Sequence, residues 1–224
     1  MRFLAFAVAL SVSSVSSVVV VAQSPSEVLD HATAAYAQMK TAHVTFTQFV
    51  KNPLTNADVA SKGEMYQKLP GHYDVTFTQP AGDRIVSDGR VVWIYLPSTN
   101  PGQVMKLGVG EGGQARVPDF TTWLLDAPKS RFTIAGGGAA TVSGKATHVL
   151  LLTPKGAGVP FVSARLWVDD ADGIVRQFET ADENGSTRRV RVESIEMNVP
   201  VSASAFTFTV PVGVKVYEPG ASGT

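Results

Sequence analysis

The sequence predicts a mainly β, α+β fold: a single antiparallel sheet curled into a barrel or half-barrel, with helices available to cover it. Three observations carry this. Apolar–polar alternation with a period of two begins at His43 and recurs to the end of the chain, broken at regular intervals by Gly, Pro, Asn and Asp turn signals. No linker and no fixed-period repeat divides the 224 residues. The third observation is Asp83 to Leu96, a hairpin turning at Asp88-Gly89 whose second strand, Val91-Val-Trp-Ile-Tyr-Leu96, is apolar at every position. A strand with one wet face alternates, so this run demands cover on both sides. One cover is the core; the other is a helix, a loop or an apolar ligand.

Residues 1–22 read as a signal peptide. Arg2 is the one charge before Glu27, Phe3 to Leu10 is apolar, and a Ser/Val run ends in the small-residue pattern Val20-Val21-Ala22. The mature chain is expected to start near Gln23, with residues 23–224 as one domain. The chain has no cysteine, which excludes disulfides, thiolate metal sites, a Cys nucleophile and lipidation of an N-terminal Cys. A cleaved export signal without a lipid anchor implies a soluble exported protein. With 19 basic and 19 acidic residues, there is no electrostatic case for nucleic acid or an anionic membrane surface.

Taken in order, Ser24-Pro25-Ser26-Glu27 starts a helix: Ser24 caps, Pro25 suits the first position and Glu27 completes a capping box. Val28, Leu29, Ala32, Tyr36 and Met39 follow at helical spacing, which predicts an amphipathic helix to near Lys40. From His43, Val44, Phe46, Gln48 and Val50 alternate with Thr45, Thr47 and Phe49. Asn52 to Asn56 turns the chain, and Val59 to Lys68 is a strand with a bulge expected at Gly63. After Pro70-Gly71, Tyr73, Val75 and Phe77 share one strand face. Gln79-Pro-Ala-Gly82 leads into the all-apolar hairpin. Pro97 to Val117 reads as a long Gly-rich loop, and Pro118 to Leu125 as a short helix with Phe120, Trp123 and Leu124 on one stripe. Strands are then expected at 131–135, 147–154, 161–168, 174–182 and 188–198, with Gly136 to Gly138 as a hairpin turn. Phe206-Thr-Phe208 and Val214-Lys-Val216 close the chain.

No catalytic constellation emerges. His31, His43, His72 and His148 have no metal-ligand spacing, and there is no Gly-x-Ser-x-Gly elbow. Asp169-Asp170-x-Asp172-Gly173 lacks the spacing and late Glu of a calcium loop and reads as a strand turn. Arg188-Arg189-Val-Arg191 reads as a solvated strand face. The prominent pattern is instead a greasy sheet face, on which Phe46, Tyr73, Val75, Phe77, Ile85, Trp93 and Tyr95 are expected to point inward. No enzyme, cofactor or metal is expected.

The chain resembles the LolA family, periplasmic carriers of outer-membrane lipoproteins. The resemblance rests on Phe46-Thr-Gln48, Gly63-Glu-Met-Tyr66 running to Lys68-Leu-Pro70, Thr78-Gln-Pro80, Ile85-Val-Ser-Asp-Gly89 and Trp93-Ile-Tyr-Leu-Pro97. Leu152-Thr-Pro-Lys155 and Phe206-Thr-Phe208 with Pro211 and Gly213 complete it. It implies an unclosed antiparallel barrel capped by helices around a hydrophobic cavity. It implies a monomer that takes acylated lipoproteins from an inner-membrane ABC transporter to an outer-membrane receptor or membrane. Phe46, Tyr73, Val75, Phe77, Ile85, Trp93, Tyr95, Phe120, Trp123 and Leu124 would then line the cavity and its lid. One position departs: the family carries Arg between the Lys and the Pro of Lys68-Leu-Pro70, where it latches the lid by hydrogen bonds, and this chain has Leu69. A lipid-binding sensor module on the same fold is the alternative function.

Overall fold

The computed structural model describes residues 23–54, 57–108, 124–157 and 159–219. The expected signal peptide and the lid residues Phe120 and Trp123 lie outside them.

Helix α1 (Pro25–Tyr36) starts as its sequence requires: Ser24 Oγ accepts from the Glu27 amide at 3.3 Å and Glu27 accepts from the Ser24 amide at 2.8 Å. It ends at Tyr36, short of Lys40. Val28, Leu29, Ala32 and Tyr36 form its buried stripe, and Met39 beyond it is also buried.

Among the described residues, twelve strands form one open, curved sheet: β1 (Thr41–Asn52), β2 (Ala57–Lys68), β3 (His72–Gln79), β4 (Ala81–Asp88), β5 (Val91–Tyr95), β6 (Gln103–Gly108), β7 (Phe132–Val142), β8 (Lys145–Pro154), β9 (Ser163–Asp169), β10 (Val175–Ala181), β11 (Thr187–Met197) and β12 (Lys215–Tyr217). Their spatial order is β12-β6-β5-β4-β3-β2-β1-β11-β10-β9-β8-β7, so β12 and β7 are the two edges and the barrel is unclosed. Every pairing is antiparallel except that of β12 with β6, which is parallel. The bulge expected at Gly63 is present, as a register shift against β3 between Lys62 and Gly63.

Register puts Val44, Met65, Val75, Ile85 and Ile94 side by side across β1 to β5 on one face. That concave face carries the main core. Helix α1 covers its β7–β9 end, joining Phe132, Leu150, Leu152 and Leu166 in one buried cluster. The Tyr36 hydroxyl fastens the helix by accepting the Val175 amide at 3.1 Å, and burial raises the phenol well above its ordinary pKa.

A second layer lies on the outer face. After β11 the chain turns back, and a 3₁₀ turn, Ala203–Phe206, packs on β3 and β4. Phe206 is buried with its ring 5.6 Å from that of His72. Arg84 grips Asp74 with two hydrogen bonds of 2.8 and 2.9 Å and donates a third to the Ala205 carbonyl at 3.2 Å, which ties this C-terminal arm down. Phe206-Thr-Phe208 thus closes the chain as the end of a 3₁₀ turn and an arm laid on the outer face.

Two expectations fail for local reasons. Gly136 to Gly138 run inside β7, and the chain reverses at Ser143-Gly144 instead. The glycines provide clearance: a Cβ on Gly136 would lie 3.3 Å from Pro25 of α1, and one on Gly137 would lie 2.8 Å from Val149. The supposed loop after Leu96 contains β6, paired on both sides by β5 and β12; its remainder from 109 to 117 is outside the described residues. A single turn, α2 (Pro128–Arg131), precedes β7 where a strand is expected from Arg131.

Candidate functional site: an apolar pocket on the concave face

A pocket of about 60 Å³ opens between β1–β4 and β10–β11. Val44, Phe46, Met65, Val75, Phe77, Ile85, Phe178, Val190 and Val192 wall it, with Gln48 and Arg188 as its polar members. Strand alternation builds the wall: Phe46 pairs with Val192 and Gln48 with Val190, so inward residues of β1 and β11 meet. The Phe46 and Phe77 rings meet edge to face at 5.8 Å. The Gln48 amide donates to Ser61 Oγ at 3.2 Å. Ligand pockets commonly run to about 300 Å³ or more, so any chain-like occupant must widen this one.

Of the residues expected to face inward, Phe46, Val75, Phe77 and Ile85 line this pocket, and Tyr73 is buried in the adjoining core. Leu124 is also buried in that core. Leu69 is half-buried, packs on the same core through its side chain, and donates its amide to the Lys40 carbonyl at 2.9 Å.

Trp93 and Tyr95 face the other way. Register sets Ile94 beside Ile85, so its two neighbours point outward. There the Phe208 ring stacks on Trp93 at 5.5 Å and lies 6.0 Å from Tyr95, with the Lys106 ammonium 5.6 Å from the Trp93 ring. The second cover that the apolar strand demanded is thus the C-terminal arm. Phe208→Ala should leave Trp93 wet: a red-shifted tryptophan emission is expected, with a loss of about 1 kcal/mol for the stacked pair, read by urea titration.

The lining missing from the expected site is Val44, Gln48, Met65, Phe178, Arg188, Val190 and Val192. The missing signal was alternation on β11, which puts Arg188, Val190 and Val192 on one face. The basic cluster is split by it. Arg189 pairs with Glu179 and Arg191 with Glu193 on the outside, while Arg188 turns into the apolar wall. Burial lowers the pKa of Arg188, and Asp182 opposes that shift through its charge.

Comparison with known proteins adds an independent line. The family model described as "Outer membrane lipoprotein carrier protein LolA" matches residues 37–115 and 121–209. The outer-membrane lipoprotein carrier protein of Klebsiella pneumoniae (strain 342) is 27% identical over 180 residues, which covers 78% of this chain and 79% of the relative. That of Cronobacter sakazakii is 25% identical over 180 residues with the same coverage. Among solved structures, an uncharacterized conserved protein from Thermus thermophilus superposes with a TM-score of 0.52 at 14% identity, covering 86% of this chain and 98% of that one, a likeness of fold alone.

Proposed function

This chain belongs to the LolA family of outer-membrane lipoprotein carrier proteins, and on that premise we propose that it binds the acyl chains of lipoproteins in the concave-face pocket. In this reading it works in the periplasm as a monomer, starting near Gln23, and moves its cargo from an inner-membrane ABC transporter to an outer-membrane receptor. The observation that supports it best is the pocket itself: nine apolar side chains of the core converge on one concave wall and leave a space between them. Each methylene that enters such a wall gains about 0.8 kcal/mol. Entry has to spread the walls from about 60 Å³, so the repacking of Phe46, Phe77 and Phe178 on closure offsets part of that gain and permits release. Such a transfer makes and breaks no covalent bond. Among the described residues no helix is long and apolar enough to cross a membrane.

The mature protein is expected to co-purify with triacylated lipoprotein, identified by mass spectrometry of an organic extract. Phe46→Glu places a carboxylate in the wall, and its binding of a fluorescent acyl probe should fall about tenfold or more with circular dichroism unchanged. A folded Phe46→Glu variant that binds the probe as the parent does would move the acyl site off this face.

A further inference from the structure

Arg188 is the one charged side chain among the described residues lining the pocket. Its arginine neighbours in the sheet each have a carboxylate partner: Arg176 pairs with Asp169, Arg165 and Arg189 share Glu179, and Arg191 pairs with Glu193. Among the described residues the Arg188 guanidinium makes no ion pair and no hydrogen bond, and Asp182 acts on it only through space. In register it lies between Val50 of β1 and Thr180 of β10, one alternate step beyond Val190 at the end of the wall. A half-buried charge without a partner costs free energy. A wall that held nothing but hydrocarbon would be better served by another valine at this position.

A guanidinium offers five donors in a planar fork and no acceptor, and it matches a carboxylate or a phosphate. An acyl chain stretched along Phe46, Val190 and Val192 brings its polar end to the place where Arg188 stands. Building on the acyl-site reading above, we propose that Arg188 anchors the anionic head of a lipid, so that this wall accepts acyl ligands bearing a carboxylate or phosphate as well as neutral acyl chains. The charged head supplies the partner that the guanidinium lacks among the described residues. Its chemical sources are a free fatty acid and a phospholipid.

The test is displacement of the uncharged probe diphenylhexatriene from the mature protein by three ligands with the same chain: oleate, oleyl phosphate and oleyl alcohol. One or both anions should displace it at about tenfold lower concentration than the alcohol, the size of one charge-assisted contact. Arg188→Met, which keeps the length and removes the charge, should bring all three together, and Arg188→Lys should keep the preference for anions. The anion with the larger advantage identifies the head. An Arg188→Met protein that still binds the probe and keeps the original ratio overturns the anchor, as does a parent protein indifferent to the head. If the parent binds neither probe nor ligand, the acyl site itself fails, and the anchor falls with it.

Discussion

Asp169→Ala is expected to cost about 1–3 kcal/mol, because it takes the buried carboxylate from the Arg176 guanidinium and leaves it only the half-exposed Asp172. The Asp169 side chain is 3% exposed and that of its partner Arg176 is 17% exposed, with Nε donating to Oδ2 at 2.8 Å. The other carboxylate oxygen accepts the Ala171 amide at 2.9 Å. Arg176 also reaches Asp172, so one cation holds both limbs of the β9–β10 turn. That turn is the seat of α1: a Cβ on Gly173 would come within 2.7 Å of the His31 carbonyl, and the Tyr36 hydroxyl bonds the Val175 amide just beyond. Loosening the turn therefore loosens the helix. A fall in melting temperature of several degrees is expected for a domain of this size. Burial raises the Asp169 carboxyl, but the Ala171 amide and the charge of Arg176 outweigh it and hold the pKa below the ordinary value. A depressed pKa means the stabilisation is complete above the unfolded value of about 3.9 and is lost as the pH falls through the folded one. The gap between parent and variant should be widest at neutral pH and should narrow in acid, and a gap that stays constant down to about pH 2 would contradict the assignment.

Gly63→Ala is the second large effect, at about 1–3 kcal/mol or more. A Cβ there would meet the Thr76 carbonyl oxygen at 2.6 Å, the Phe46 ring at 2.9 Å and the Phe77 Cα at 3.2 Å. Two of the three are main-chain atoms in the neighbouring strand, which yield only by opening the β2–β3 ladder. The third is the ring at the centre of the pocket wall. The variant is expected both to melt earlier in a thermal scan and to bind an acyl probe more weakly. A variant that melts earlier yet binds normally would show that Phe46 holds its place without the close approach of Gly63.

Local chemistry made much of the fold legible. The capping box at Ser24 and the period-two runs of β1, β3, β4 and β8 to β11 depend on residues adjacent in sequence, and those elements lie where the sequence puts them, to within a few residues. The errors concern pairs that are distant in sequence. Trp93 and Tyr95 read as inward because both faces of their strand are apolar, and alternation cannot tell two apolar faces apart. The deciding partner is Phe208, more than a hundred residues later in the chain. Gly136 to Gly138 signal a turn, but their meaning comes from Pro25 and Val149 packed against them. For the site, half the wall was legible from the aromatic and branched residues of β1, β3 and β4. The β11 half was hidden because the triplet around Arg189 reads as a surface patch unless each residue is assigned to its face.

The pairing of β1 with β11 also governs how this chain assembles. The Lys40 amide is bonded to the Asn198 side chain across 158 positions, and the Asn198 amide returns to the Thr41 carbonyl at 2.7 Å. Hairpins β2 to β6 and β7 to β10 can each form from near neighbours, but among the described residues only this seam joins them in the sheet. Closing so long a loop is slow, and it falls late in the order of events. Until β11 has been made, β1 lacks one of its two neighbours and the wall of the pocket stands half built. The chain thus has to include β11, through Met197, before the apolar face can hide from water. A mature chain truncated before Thr187 should remain a good substrate for proteases and holdase chaperones, whereas one that extends past Val199 should be more resistant.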